Sequence, residues 1–325
     1  MNTDLKPGQE VDGFRIDSLL GQGSSSEVVL AHDPDGHRVV LKLPRDAAVA
    51  SPKSFDRFRR ELQIVARLDH PGIERSIDRR TARSRPYLVM EYVEGETLAS
   101  LLEREGPLPV DRAVGFAIQL AEALAYAHVH GVVHRDVKPG NVLVAGGDRL
   151  VIMDFGIALL DGSRRLTFGL FGDRLGTPDY MSPEQIQGKR GDPRSDIYAL
   201  GAVLFEMLTG RPPWQGQDTM EVINQHLTAP VPPMADLGVE VPPAVEGIVR
   251  RCLRKRPEER YADAAALSHD LDHWQELEPA QFELAEEPGL APAEEHLLLL
   301  VAGICFAFLA ISTLLVTATY LVAHH

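Results

Sequence analysis

The sequence predicts an α+β fold, with a small sheet-rich half, a larger helical half and an apolar segment near the C-terminal end. Three observations predict it. Residues 14–43 alternate short β-rich runs (FRIDSLL, EVVLAHD, HRVVLKL) with glycines at Gly21, Gly23 and Gly36, the pattern of an antiparallel meander. From Leu98 onward apolar residues recur at helical spacing, most clearly over 110–130 and 197–208. Residues 297–323 contain no charged side chain at all.

In chain order, residues 1–13 form an N-terminal tail with no basic-then-apolar pattern, so no secretory signal is expected. The meander follows. Residues 55–68 then place Phe58, Leu62, Val65 and Ala66 on one side of a helix, and PYLVMEY reads as a further strand. The helical half runs to about residue 275. Residues 276–296 (ELEPAQFELAEEPGLAPAEEH) are rich in Pro, Ala and Glu without a basic residue, the composition of an extended, self-repelling linker. The 27 residues of 297–323 would span about 40 Å as a helix, against about 30 Å of bilayer hydrocarbon. Only His324 and His325 follow, so the expectation is a single-pass C-terminal anchor in the lipid bilayer. No Lys or Arg occurs after Arg260, so flanking charge gives no orientation. Gly303 and Ala307 form a small-xxx-small pair that would let two such helices approach as a homodimer.

Composition narrows the function. The 325 residues leave room for about two domains. A net charge of −14 argues against nucleic acid as a partner, which calls for a basic surface. Of the two cysteines, Cys305 lies inside the apolar run and Cys252 in an amphipathic stretch, so no disulfide joins them and Cys252 reads as a small core residue.

The chemistry concentrates in HRDVKPGN, His134–Asn141, followed after a short apolar strand by Asp154-Phe155-Gly156. Phosphoryl transfer needs this inventory: a carboxylate to orient a hydroxyl, a cation for the moving phosphate, and oxygen ligands for magnesium. Asp136, Lys138, Asn141 and Asp154 supply it. Upstream, Gly21-Gln22-Gly23-Ser24-Ser25-Ser26-Glu27-Val28 lies between two predicted strands, where glycines let backbone N–H groups approach phosphates. Lys42 interrupts an apolar strand, which is costly unless paired, and Glu61 is the partner expected for it. The cluster His128, His130, His134 suits no metal, since the first two point apart on a helix and no further ligand is suitably spaced.

These motifs, in this order over residues 14–275, resemble the bacterial eukaryotic-like (Hanks-type) serine/threonine protein kinases. The resemblance implies a bilobal protein-kinase fold, with an N-lobe at 14–91 and a C-lobe at 92–275. It implies ATP as cosubstrate and Mg2+ (or Mn2+) as the metal, held by Asn141 and Asp154. Asp136 would orient the substrate hydroxyl and Lys138 neutralise the transferring phosphate, with Lys42 on the α- and β-phosphates and Glu61 as its partner. Gly21 through Ser26 would cover the phosphates, with Ser26 where the family has a third glycine. Val28, Val40 and Leu143 would enclose adenine, with Glu91 and Val93 at the hinge and Met90 as gatekeeper. Val40 stands where the family has alanine, which implies a slightly tighter adenine pocket. Ser182-Pro183-Glu184 matches the family's A-P-E, with Arg260 as the partner of Glu184 and Asp196 bracing the catalytic loop. Thr177 would bond the catalytic Asp and Lys. Arg135 before the catalytic Asp136 implies activation-loop control, with Thr167 the expected phosphosite.

Two other readings compete. A small-molecule phosphotransferase of the aminoglycoside-kinase type would lack the Thr177–Glu184 segment and the Asp196 helix. A catalytically weak membrane scaffold would have lost Lys42, Asp136, Asn141 or Asp154, and all four are present. The expected location is the cell membrane, with the catalytic part in the cytoplasm, where ATP and protein substrates with Ser or Thr are found.

Overall fold

The computed structural model describes residues 6–22, 26–44, 67–77, 87–155 and 178–282. Five antiparallel strands form the first sheet in sequential order: β1 (Glu10–Val11), β2 (Phe14–Gln22), β3 (Ser26–His32), β4 (Arg38–Pro44) and β5 (Leu88–Glu91). Period-two alternation splits it into two faces. Val29, Val39, Leu41, Leu43 and Val89 join Phe14, Ile16 and Tyr87 in one buried cluster. The intervening Val40, Leu88 and Met90 pack with Val28 and Tyr92 on the other. Lys42 belongs to this second face, because Val28 and Leu88 are its register partners.

The sheet starts earlier than the expected residue 14. Asp12 and Gly13, at φ 50° and 89°, turn Val11 back onto Phe14, and Tyr87 Oη secures the turn by donating to Asp12 Oδ2 at 2.9 Å. The expected tail therefore contains a strand. A two-residue strand offers no alternation from which to foresee it.

A second sheet, β6 (Gly95–Thr97), β7 (Val142–Ala145) and β8 (Arg149–Ile152), lies at the entry to the helical body. Gly95 is there because β6 passes so close to β7 that a Cβ would stand 2.4 Å from Val144 O. Thr97 caps α1 (Leu98–Glu105) by accepting from Ser100 N at 3.1 Å. The body is built on α2 (Val110–Val129) and α4 (Pro193–Thr209), with α3 (Pro183–Ile186), α5 (Thr219–Thr228), α6 (Pro243–Cys252) and α7 (Ala264–Asp272) around them. α4 is buried nearly all round, as expected of a central helix. Gly201 lets α6 approach it, since a Cβ at that position would stand 2.4 Å from Cys252 Cβ. Cys252 is the small core residue foreseen, and burial pushes its thiol pKa up.

The globular body extends beyond residue 275 into the expected linker. Short 3-10 turns at Trp274–Glu276 and Pro279–Phe282 follow α7, and Phe282 packs over the notch at Gly247 on α6. The apolar ring overrides the surrounding linker-like composition. Among the described residues no helix is long and apolar enough to cross a membrane; the 297–323 segment lies outside them.

Candidate active site

Between β4 and β5 on one side and the loop before β7 on the other, the sequence-predicted residues converge. Lys42 reaches from β4 with its side chain 10% exposed, and its Nζ lies 2.5 Å from Asp154 Oδ1. This pair joins positions 112 residues apart. The expected partner Glu61 lies outside the described residues, so the ion pair the structure displays for Lys42 is the one with Asp154.

The loop ahead of β7 is held from below. Asp196, fully buried near the start of α4, accepts from His134 N at 2.8 Å and Arg135 N at 2.7 Å. His128 Nε2 at the end of α2 lies 2.8 Å from the same carboxylate. Three donors on one carboxylate satisfy a buried charge and fix Arg135 in the left-handed region, φ 67°. His134 is fully buried; its Nε2 lies 2.8 Å from Met153 O and its Nδ1 accepts from Asp136 N at 3.2 Å. Its ring also meets Phe155 edge-on at 4.7 Å. His128 and His134 are thus engaged in holding the loop in place.

On this frame Asp136, Lys138 and Asn141 come into mutual contact. Lys138 Nζ stands 2.8 and 3.0 Å from the Asp136 carboxylate oxygens. Asn141 Nδ2 donates to Asp136 O at 2.7 Å and to Asp136 Oδ2 at 2.9 Å. Half of the Asp136 side chain remains exposed, so an incoming hydroxyl has access. With its amide nitrogen committed, Asn141 has Oδ1 as its acceptor, and Met153 N bonds back to Asn141 O at 2.9 Å, bringing Asp154 alongside. Carbonyl and carboxylate oxygens are hard donors, so Asn141 and Asp154 fit a hard divalent cation.

Of the residues expected beside adenine, Val28 and Val40 occupy the second face of the first sheet. Val40 is opposite Met90 in register, both are buried, and Val28 packs against them. Leu143 lies in β7 opposite Thr97 and Val151. Glu91 ends β5, and its side chain is held by Arg75 Nε at 3.0 Å. Arg38 sits over the Tyr92 ring at 4.4 Å, so Glu91 and Tyr92, just ahead of Val93, each carry a guanidinium contact. Gly21 and Gln22 end β2, and Ser26 opens β3. Gly23, Ser24, Ser25, Thr167 and Thr177 lie outside the described residues.

Arg260 pairs with Glu184 as expected, at 2.8 and 2.9 Å. The Ser182-Pro183-Glu184-Gln185 turn also reaches the catalytic loop: Gln185 Nε2 donates to Arg135 O at 2.9 Å, a link that the sequence reading missed. Tyr180 Oη donates to Glu206 Oε2 at 2.6 Å, tying the same segment to α4. Glu74 was missed as well. It is partly buried behind the Lys42–Asp154 pair, and burial pushes its carboxyl up to about 7, Lys42 acting against this and Asp154 with it. A single glutamate in HPGIERSI gives no periodic signal that would single it out.

The comparisons agree with this geometry. The family model described as "Protein kinase domain" matches residues 14–271, so the chain belongs to the protein kinase family. It is 40% identical over 268 residues to the serine/threonine-protein kinase PknB of Mycolicibacterium smegmatis, covering 80% of this chain and 42% of that protein. To PknB of Mycobacterium tuberculosis it is 38% identical over 286 residues, 85% of this chain and 45% of that one. The chain thus spans less than half the length of these relatives. The crystal structure of Rad53 1-466 in complex with AMP-PNP superposes with a TM-score of 0.64 at 27% identity, covering 80% of this chain and 65% of that one.

Proposed function

We propose that this chain is a membrane-anchored serine/threonine protein kinase that transfers the γ-phosphate of ATP to Ser or Thr of cytoplasmic proteins. The carrying observation is the hydrogen-bonded cluster Asp136–Lys138–Asn141, beside the segment after β8 that presents Asp154 to Lys42. Asp136 accepts the hydroxyl proton as the substrate oxygen bonds to the γ-phosphorus and the bond to ADP breaks. Lys138 supplies positive charge beside the transferring group. Lys42 moves from Asp154 to the nucleotide phosphates. Asn141 and Asp154 would hold Mg2+, with Mn2+ as a substitute, and the ion would offset charge on the phosphates. The 40% identity to a bacterial serine/threonine kinase supports the substrate class.

Loss of a positioned charge at such a site costs on the order of a thousandfold in rate. Asp136→Asn and Asp154→Asn are therefore expected to abolish autophosphorylation while keeping the wild-type melting profile. Near-normal activity in purified Asp154→Asn would overturn the assignment.

The anchor and the control of activity belong to the same reading. The uncharged run at 297–323 supports a single-pass span, and the need for ATP supports a catalytic domain on the cytoplasmic side. Full-length protein should resist alkaline extraction from membranes, and its recovery in the soluble fraction would refute the anchor. Arg135, beside Asp136, supports activation by phosphate on Thr167, placed by a second copy of the kinase in the membrane plane. Thr167→Ala assayed on an exogenous substrate tests this. Activity equal to fully autophosphorylated wild type would remove the switch.

A further inference from the structure

Residues 72–74 run beside β8 and are stitched to it by three main-chain contacts. Ile152 N donates to Gly72 O at 2.9 Å, Glu74 N donates to Ile152 O at 2.9 Å, and Ile73 bridges Ile152 in parallel. This fixes the Glu74 backbone two residues from Asp154. Its side chain then reaches the one backbone donor that matters there: Asp154 N lies 3.4 Å from Glu74 Oε2. Asp154 is itself in the left-handed region, φ 68°, a conformation a non-glycine residue keeps only when its surroundings hold it. Around it stand Lys42 on the carboxylate, the Met153–Asn141 hydrogen bond just before it, and Glu74 on its N–H.

We propose that Glu74 is a positioning residue for the metal site, holding the left-handed Asp154 backbone so that its carboxylate is aimed beside Asn141. This rests on the reading of Asp154 as a metal ligand. A contact of 3.4 Å is long for a hydrogen bond, and it has room to shorten. With Asn141 and Asp154 holding a divalent cation, Lys42 would be free to leave the Asp154 carboxylate for the nucleotide phosphates. Glu74 then remains as the side chain within reach of the Asp154 backbone among the described residues. No substrate contact is required of it.

The test is direct metal binding by the full-length chain in detergent, with AMP-PNP held saturating. Bound and free Mn2+ are separated by electron paramagnetic resonance. Altering a side chain that orients a metal ligand commonly weakens binding by about tenfold or more. Glu74→Ala should therefore raise the Mn2+ dissociation constant about tenfold, and Glu74→Gln, which keeps an acceptor but no charge, about threefold. In the kinase assay the Mg2+ concentration for half-maximal rate should rise in parallel, with a smaller change in kcat at saturating Mg2+. If Glu74→Ala fails to give a cooperative melt, Glu74→Gln carries the test by the same threefold criterion. Mn2+ affinities within experimental scatter of wild type for a folded variant would overturn the proposal. So would a kcat loss with no shift in metal dependence. Asp154→Asn separates the two readings: unchanged Mn2+ binding there removes the metal assignment itself, whereas a loss confined to Asp154→Asn removes only the role of Glu74.

Discussion

Replacing Arg260 with methionine should be among the most damaging single changes in the helical body, and the reason can be worked from its bonds. All five guanidinium protons are used: Nε donates to Arg254 O at 2.8 Å, Nη1 to Glu184 Oε1 at 2.8 Å and Arg194 O at 3.0 Å, and Nη2 to Glu184 Oε2 at 2.9 Å and Lys255 O at 3.1 Å. The Arg260 side chain is 0% exposed and that of Glu184 8%. Methionine fills similar volume but leaves a buried carboxylate with the Ser195 hydroxyl, 2.6 Å away, as its remaining side-chain donor. Breaking a buried pair in this way costs about 3–5 kcal/mol, against a total stability of about 5–15 kcal/mol. At about 2–4 °C per kcal/mol for a domain of this size, the melting temperature should fall by roughly 6–20 °C. Arg260→Lys should rescue little, because an ammonium cannot reproduce the planar fork.

The pH dependence gives a second check with a definite sign. Burial pushes the Glu184 carboxyl up, but the hydrogen bonds and charge of Arg260, with Ser195, hold it below the ordinary carboxylate value. In wild type this group stabilises the fold above the unfolded value and loses that contribution as pH falls through the lower folded value. Without Arg260, burial outweighs the remaining Ser195 and backbone hydrogen bonds, and the folded value rises above the unfolded one. The variant should then recover stability as pH falls, and the gap between the two proteins should narrow below about pH 5. Calorimetric melts of both proteins between pH 7.5 and 4.5, under assay conditions, measure this. A change under about 1 kcal/mol, or a gap that stays constant with pH, would refute the account.

Gly201→Ala should lower stability by about 1–3 kcal/mol through overpacking, because the added Cβ would stand 2.4 Å from Cys252 Cβ; Cys252→Ser, which keeps that carbon, should not rescue it. His226 accepts or donates at Nδ1 to Tyr198 Oη, 2.8 Å away, and burial, aided by Lys255, holds its pKa down to about 3. Its contribution to stability is therefore complete above the unfolded histidine value and falls by about 1.4 kcal/mol per pH unit below roughly pH 6.5. Chemical denaturation at pH 7 and pH 5 should show a smaller pH difference for His226→Gln than for wild type, and an equal difference would count against it. Phe282→Ala should cost about 3 kcal/mol or less at this partly bounded site and free the C-terminal turn from Gly247, detectable as faster proteolysis at residues 277–282.

What the sequence made legible was what local spacing determines. The β-rich runs between glycines over 14–43 foretold the strands of the first sheet, and Lys42 stood out as costly in an apolar strand. The helical periods over 110–130 and 197–208 match α2 and α4 to within a few residues. The constellation Asp136, Lys138 and Asn141 was legible because all three lie in one loop, within five residues, and touch there. Distance along the chain is where the reading thinned. The Lys42–Asp154 pair, the Asp154–Glu74 contact and the Gln185–Arg135 link each depend on how separate elements dock, which no periodicity records. Phe282 and β1 escaped for another reason: each is a one- or two-residue event inside a polar segment.

The catalytic loop itself illustrates how the two kinds of information combine. Apart from the 3-10 turn at Pro139–Asn141 it has no regular backbone hydrogen bonding to hold its shape, so its motif spacing alone would permit many conformations. Asp196 removes that freedom. It sits on the most deeply buried helix of the body and takes the N–H groups of His134 and Arg135 together with the His128 ring. Ser195, its neighbour, bonds Glu184, and Glu184 bonds Arg260. The same two residues of α4 therefore fix the loop that carries Asp136 and the turn that reaches back to Arg135 through Gln185. A site that must place charges to within fractions of an ångström is hung on a rigid helix rather than on the loop that displays it. This is why the residues most exposed to substrate depend for their geometry on residues that no substrate touches.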